Sequence, residues 1–263
     1  MTTAALATNG RATVSLAKRG LRQALRRPQF LAPLVIFPSL MLAANTGGAG
    51  RATELPGFPE VHGFLDFELA GAMMQSTMLA GVSGGIALAL DFEIGFIDRL
   101  FAAPVSRYSI IAGRVGATSV LGVMTGIWFL AGGLVFGAQI QAGVPGAMVI
   151  LALVWLAAAA FALLASALAI AASKASVVQG IFPIVFVIMF LSTAFFPLNL
   201  LLEPAKTVAN VNPLSWIADG MRGPIIGELE LGTVAKAVAG IAIVAAIGFA
   251  LTGLTLRRRM RTG

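Results

Sequence analysis

The chain has 263 residues, 58% of them hydrophobic and only 11% charged, with a formal charge of +7. Its mean hydropathy is +0.93; against about 25% charged residues in a soluble domain, that leaves too little polar surface to solvate a globule. Cysteine is absent, which excludes disulfide frameworks and thiolate metal sites. The cations cluster between apolar runs, a pattern of membrane topology rather than of nucleic-acid binding.

Residues 11–27 come first and read as a two-faced helix. Val14, Ala17, Leu21, Ala24 and Leu25 recur at helical spacing, with Arg11, Lys18, Arg22 and Arg26 beside them. Such a helix lies in the membrane interface, its cations near lipid phosphates; the plainer alternative is a basic leader that only sets topology.

Apolar runs then follow at 29–44, 67–90, 108–136, 146–172, 177–196 and 233–256. At about 20 residues per span, they predict an all-α membrane protein with six transmembrane helices in one domain, 1–263. Pro33 and Pro38 predict a kink in the first run. The basic stretch before it is long, so it is read as a retained span rather than a cleaved signal. His62, the only histidine, sits in a Pro/Gly-rich connection and reads as solvated.

Charge sidedness orients the spans. One face collects Arg11, Lys18, Arg19, Arg22, Arg26, Arg27, Arg99, Arg107, Arg114, Lys174, Arg257, Arg258, Arg259 and Arg261; the other holds only Arg51, Lys206, Arg222 and Lys236. Lys and Arg favour the cytoplasm, so both termini are expected there, in a cell membrane of bacterial inner-membrane type.

Residues 91–107 form the cytoplasmic connection that stands out. Acidic Asp91, Glu93 and Asp98 alternate with Ile94, Phe96, Ile97, Leu100 and Phe101, and Pro104 ends the segment. A short helix parallel to the membrane fits, and its apolar residues at a solvent boundary mark a docking element. The outer connection 197–232 carries a second unusual segment. Asn212 is an N-cap candidate with Pro213 at the first helical position, Gly223-Pro224 is expected to stop the helix, and a re-entrant half-helix before the last span fits. Trp216 suits a membrane interface, either as part of an outer gate with Asn212 and Pro213 or as an anchor.

Together these segments resemble the type-2 ABC transporter permeases, which include daunorubicin-type drug and lipid exporters and polysaccharide exporters. Glu93-x-Gly95-x-x-x-x-Leu100-x-x-x-Pro104-Val105-Ser106-Arg107, followed by Ile110, Ile111, Gly113 and Arg114, looks like the family's cytoplasmic loop. Asn212-Pro213-Leu214-Ser215-Trp216 through Arg222 resembles its segment before the last span. The resemblance implies a pair of permease subunits, two copies or related chains, each docking a coupling helix into an ABC-type ATPase subunit dimer. By position, Glu93, Gly95, Phe96, Asp98, Arg99, Leu100 and Phe101 belong to that helix, and Pro104 to Arg107 to the turn after it. No Gly-x-x-x-x-Gly-Lys-Ser/Thr loop occurs here, so ATP and Mg are expected in the partner, with no cofactor, metal or catalytic residue in this chain.

For the path, Phe182, Phe186 and Phe190 share one face of the fifth run with Met189 nearby; they line a cavity suited to an amphipathic drug or lipid, or they pack against helices and lipid. Met73, Met74 and Gln75 are a further possible lining. A non-transporting membrane assembly subunit is the competing reading, as is polysaccharide export within the same family. A secondary transporter would show repeats and polar midplane helices, and neither is evident.

Overall fold

The computed structural model describes residues 3–102 and 105–262, and among these every regular element is a helix, with no strand. Helix α1 (Thr3–Leu25) leads into α2 (Pro28–Ala49), α3 (Phe64–Glu93), the short α4 (Phe96–Phe101) and α5 (Arg107–Val135). Then come α6 (Gly143–Ala172), α7 (Ala175–Gly180), α8 (Phe182–Phe190), α9 (Ala205–Val211), α10 (Pro213–Ile226) and α11 (Leu231–Thr262). Among the described residues, five stretches are long and apolar enough to cross a membrane: Pro28–Glu54, Phe64–Glu93, Arg107–Val135, Gly143–Ala172 and Leu231–Arg259.

The run at 177–196 is built differently from the other five. It is divided between α7 and α8, interrupted at Ile181, and its last residues form turns. Gly180 and Pro183 explain the interruption, one by weak helix propensity and the other by its missing N–H. At about 1.5 Å per residue, the apolar helical part Ala175–Phe190 extends roughly 24 Å, short of a hydrocarbon core of about 30 Å.

Helix α3 is the axle of the bundle. Nearly its whole length is buried, against α2, α5, α6, α7 and α10. Two glycines permit that closeness: a Cβ on Gly81 would lie 2.5 Å from the Phe161 Cβ, and one on Gly85 would lie 2.7 Å from the Ala165 Cβ. Met73, Met74, Phe129, Phe161, Ile217 and Met221 fill the core beside it.

Both prolines of the first run lie inside α2, which is continuous through them. Pro38 leaves the Leu34 carbonyl without its usual donor four residues on, and the buried Ser76 hydroxyl of α3 donates to that oxygen at 2.7 Å. The proline and the serine thus join α2 to the axle.

Helix α1 starts earlier than residue 11 and packs along α5. Gly113 of α5 meets Leu16, where a Cβ would come within 2.8 Å. Of the apolar stripe, Val14 and Leu25 stay exposed, so α5 covers only part of it. The bundle has two ends, distinguished below by the short helices they carry, the α4 end and the α10 end.

Candidate functional site

At the α4 end, α3 runs through Glu93 and stops where Gly95 takes φ 68°, a left-handed conformation that glycine adopts without strain. Six residues of α4 follow. Ile97 is buried, and Phe96, Leu100 and Phe101 pack on a cluster with Leu88, Phe92, Ile110 and Ile170. The chain itself covers most of the apolar face that the alternation pattern left open. Ile94, 66% exposed, is the residue that still projects.

Polar contacts fasten α4 and its flanks to four other helices of the bundle. Toward α1, the Arg19 guanidinium lies 3.6 Å over the Phe96 ring. Arg19 also pairs at 3.6 Å with the buried Asp91, which Arg114 of α5 pairs from the other side. Toward α7, the Glu93 carboxylate accepts from the Ala175 N–H at 2.8 Å, an N-terminal amide that has no helical partner. Toward α11, Arg259 bridges to Asp98 at 3.4 Å, donates to the Ser173 hydroxyl and stacks 4.2 Å from the Phe92 ring. Arg107 sits 4.9 Å over Phe101, and Arg99 is exposed. Pro104 lies outside the described residues.

The α10 end is held by a buried arginine. Arg222 donates to the carbonyls of Phe67 at 3.1 Å, Thr193 at 2.9 Å and Ala194 at 2.8 Å, and pairs with Asp219 at 2.8 Å. Its guanidinium lies 3.9 Å from the Phe67 ring. Glu68, also buried, accepts from Asn45 at 2.6 Å. Asn212 caps α10 by accepting from the Leu214 N–H at 2.9 Å, and its amide donates to the Ile188 and Leu191 carbonyls at the end of α8. Pro213 opens α10 as expected, but the helix passes Gly223-Pro224 and stops at Gly227, whose N–H closes on the Gly223 carbonyl. Trp216 donates to the Asn210 carbonyl at 3.2 Å.

The rings of α8 form a ladder. Phe182, Phe186 and Phe190 stack in sequence, with Phe37 of α2 beside the first two and Phe195 beyond the last, at centroid distances of 4.7 to 6.4 Å. A shallow cleft of about 400 Å³ lies against them. Met189, Met73 and Met74 are instead packed in the core. Gln75 is buried as well.

Several of these residues had no assigned role in the sequence reading. Arg114 was available as a charge in an otherwise apolar run, where a charge calls for a named partner, and Arg222 as a cation three residues after Asp219. Phe37, Arg19 and Arg259 meet their partners only through the fold.

A helical bundle with five stretches long and apolar enough to cross a membrane, and a short helix fastened at one end, defines a multi-pass membrane protein. The family model for the ABC-2 type transporter matches residues 11–226, and the chain belongs to that family, as the two motifs and their order led one to expect. It is similar to the probable doxorubicin resistance ABC transporter permease protein DrrC of Mycobacterium tuberculosis, 25% identical over 179 residues. That match covers 65% of this chain and 65% of the relative, under two thirds of the relative's length. It is similar also to the putative transport permease ycf38 of Porphyra purpurea, 26% identical over 210 residues, 79% of this chain and 72% of the relative.

Proposed function

We propose that this chain is the permease subunit of an ATP-driven exporter that moves an amphipathic drug, lipid or lipid-like metabolite out of the cytoplasm or the inner leaflet. A separate ABC-type ATPase dimer binds ATP and Mg and hydrolyses the nucleotide. The chain crosses the membrane six times, with α7, α8 and the turns after them as the fifth crossing. Both termini and the α4 end are cytoplasmic, and a second permease subunit completes the path. The drug-resistance name of one relative supports the cargo class, and the apolar ring ladder of α8 suits it.

The observation that carries this reading is how α4 is fastened. The helix is only about 9 Å long and is preceded by the projecting Ile94, yet contacts at and beside it reach α1, α5, α7 and α11. A partner that displaces α4 pulls on all four elements together. Glu93 passes the displacement to the interrupted fifth crossing, whose weak point at Gly180–Ile181 absorbs it.

Glu93 and Asp98 are both exposed, but Glu93 is committed to the Ala175 N–H, so Asp98→Lys is the variant that separates docking from folding. The expected result is a folded permease that loses ATPase co-purification and transport by about tenfold or more, the scale of an interface charge reversed. Undiminished association and transport in Asp98→Lys would overturn the coupling role of α4.

A further inference from the structure

A second cavity lies away from the ring ladder, on the opposite side of α8. It is a crevice of about 580 Å³ between α3, α6, α7, α8 and α11, walled by residues such as Leu168, Ala171, Val178, Val185, Leu251 and Thr255. That volume falls within the roughly 300–1,000 Å³ of small-molecule pockets. Its few polar groups are already committed. The Asn212 amide donates to the Ile188 and Leu191 carbonyls, and the Thr255 hydroxyl donates to the Leu251 and Thr252 carbonyls. Ordered water needs polar partners, and hydrocarbon does not.

Length and register narrow the occupant. Along α11 the crevice runs from Val244 to Thr255, about 16 Å at 1.5 Å per residue, close to half of a hydrocarbon core of about 30 Å. One end is closed by the start of α10, at Asn212 and Leu214. At the other end the walls carry cations. Arg258 follows Thr255 by three residues on α11, and Lys174 precedes Val178 by four at the head of α7; both are exposed.

We propose that this crevice is a binding site for one anionic phospholipid of the cytoplasmic leaflet, an acyl chain lying between α6, α8 and α11 and the headgroup phosphate at Lys174 and Arg258. The site rests on the orientation proposed above, because that leaflet carries the anionic lipids that basic residues attract. It is separate from the α8 ladder, so the lipid is a resident ligand wedged behind the fifth crossing and not the cargo. Its acyl chain backs the same face of α7 and α8 that would shift when α4 moves.

The test is native mass spectrometry of the full chain in detergent, supplied with equal amounts of phosphatidylglycerol and phosphatidylcholine bearing the same palmitoyl and oleoyl chains. Wild type is expected to retain the anionic lipid about tenfold or more over the zwitterionic one, from two cations near the phosphate. Lys174→Gln with Arg258→Gln brings the two lipids to parity without reducing the total. Ala171→Phe fills the crevice and reduces retention of both. Leu251→Trp repeats the filling from the facing wall, and thermal unfolding of each variant identifies any that fails to fold. Equal retention of the two lipids by wild type overturns the headgroup site. Undiminished retention in folded filling variants, or a wild type that holds neither lipid because a second copy seals the crevice, overturns the acyl site. The readout needs no ATPase: its failure with Asp98-dependent coupling intact removes this site alone, and the reverse outcome removes the export reading alone.

Discussion

Arg222 is buried where α3, α10 and residues 193–194 meet, and its three nitrogens serve three backbone carbonyls and Asp219. Removing it strands the three buried carbonyls, while Asp219, whose side chain is 45% exposed, keeps its access to water. Arg222→Met is expected to cost about 3 kcal/mol, since each buried acceptor left without its donor costs about 1–3 kcal/mol. Arg222→Lys should recover only part of that, since an ammonium cannot reproduce the fork. Thermal unfolding in detergent reads both, and a midpoint unchanged in Arg222→Met would refute the assignment. At this scale the sequence was only partly legible. Asp98 and Gly95 stand where the motif places them. Glu93, however, spends its carboxylate on Ala175, a contact 82 residues away, and no spacing rule announces such a pairing. Met73 and Met74 likewise looked like a path and proved to be core, because helical periodicity in an apolar chain does not tell inward packing from a cavity wall.

At the scale of elements, apolar run length was enough to place α2, α3, α5, α6 and α11, with ends extended by a few residues. The exception was the fifth run, where a single continuous helix was expected. Gly180 and Pro183 were visible punctuation, but uniform hydrophobicity on both sides of them masked the interruption. Close helix contact has its own spacing: Gly81 and Gly85 meet α6, as small residues four apart allow. Gly81→Leu is expected to destabilise by about 1–3 kcal/mol through overpacking, whereas Gly132→Ala, with nothing within 4 Å of its Cβ position, should be neutral. Equal unfolding midpoints for the two variants would contradict the α3–α6 packing.

For the whole molecule, the number of crossings decides whether the termini share a side. Six crossings require it and five forbid it. The chain has no cysteine, so single cysteines report cleanly. Arg11→Cys and Arg257→Cys should resist a membrane-impermeant maleimide in intact cells and react after permeabilisation, while Lys206→Cys should react at once. Reaction of only one terminus in intact cells would leave five crossings. The charge asymmetry on which the proposed orientation rests is a property of composition along the chain and needs no fold to be read. The outer surface of α2 and α8 was not, since which apolar faces stay uncovered depends on the packing of the rest. Ile36, Leu40, Ile184 and Val187 remain open there. In water such a face would drive aggregation, but lipid tails are as apolar as leucine, so in a bilayer it gains nothing from being covered. A neighbour settling on it must fit the relief of the rings better than mobile lipid does. Its occupancy then follows the protein-to-lipid mole fraction in the membrane, and diluting the protein with added lipid separates such neighbours even when the aqueous concentration is unchanged.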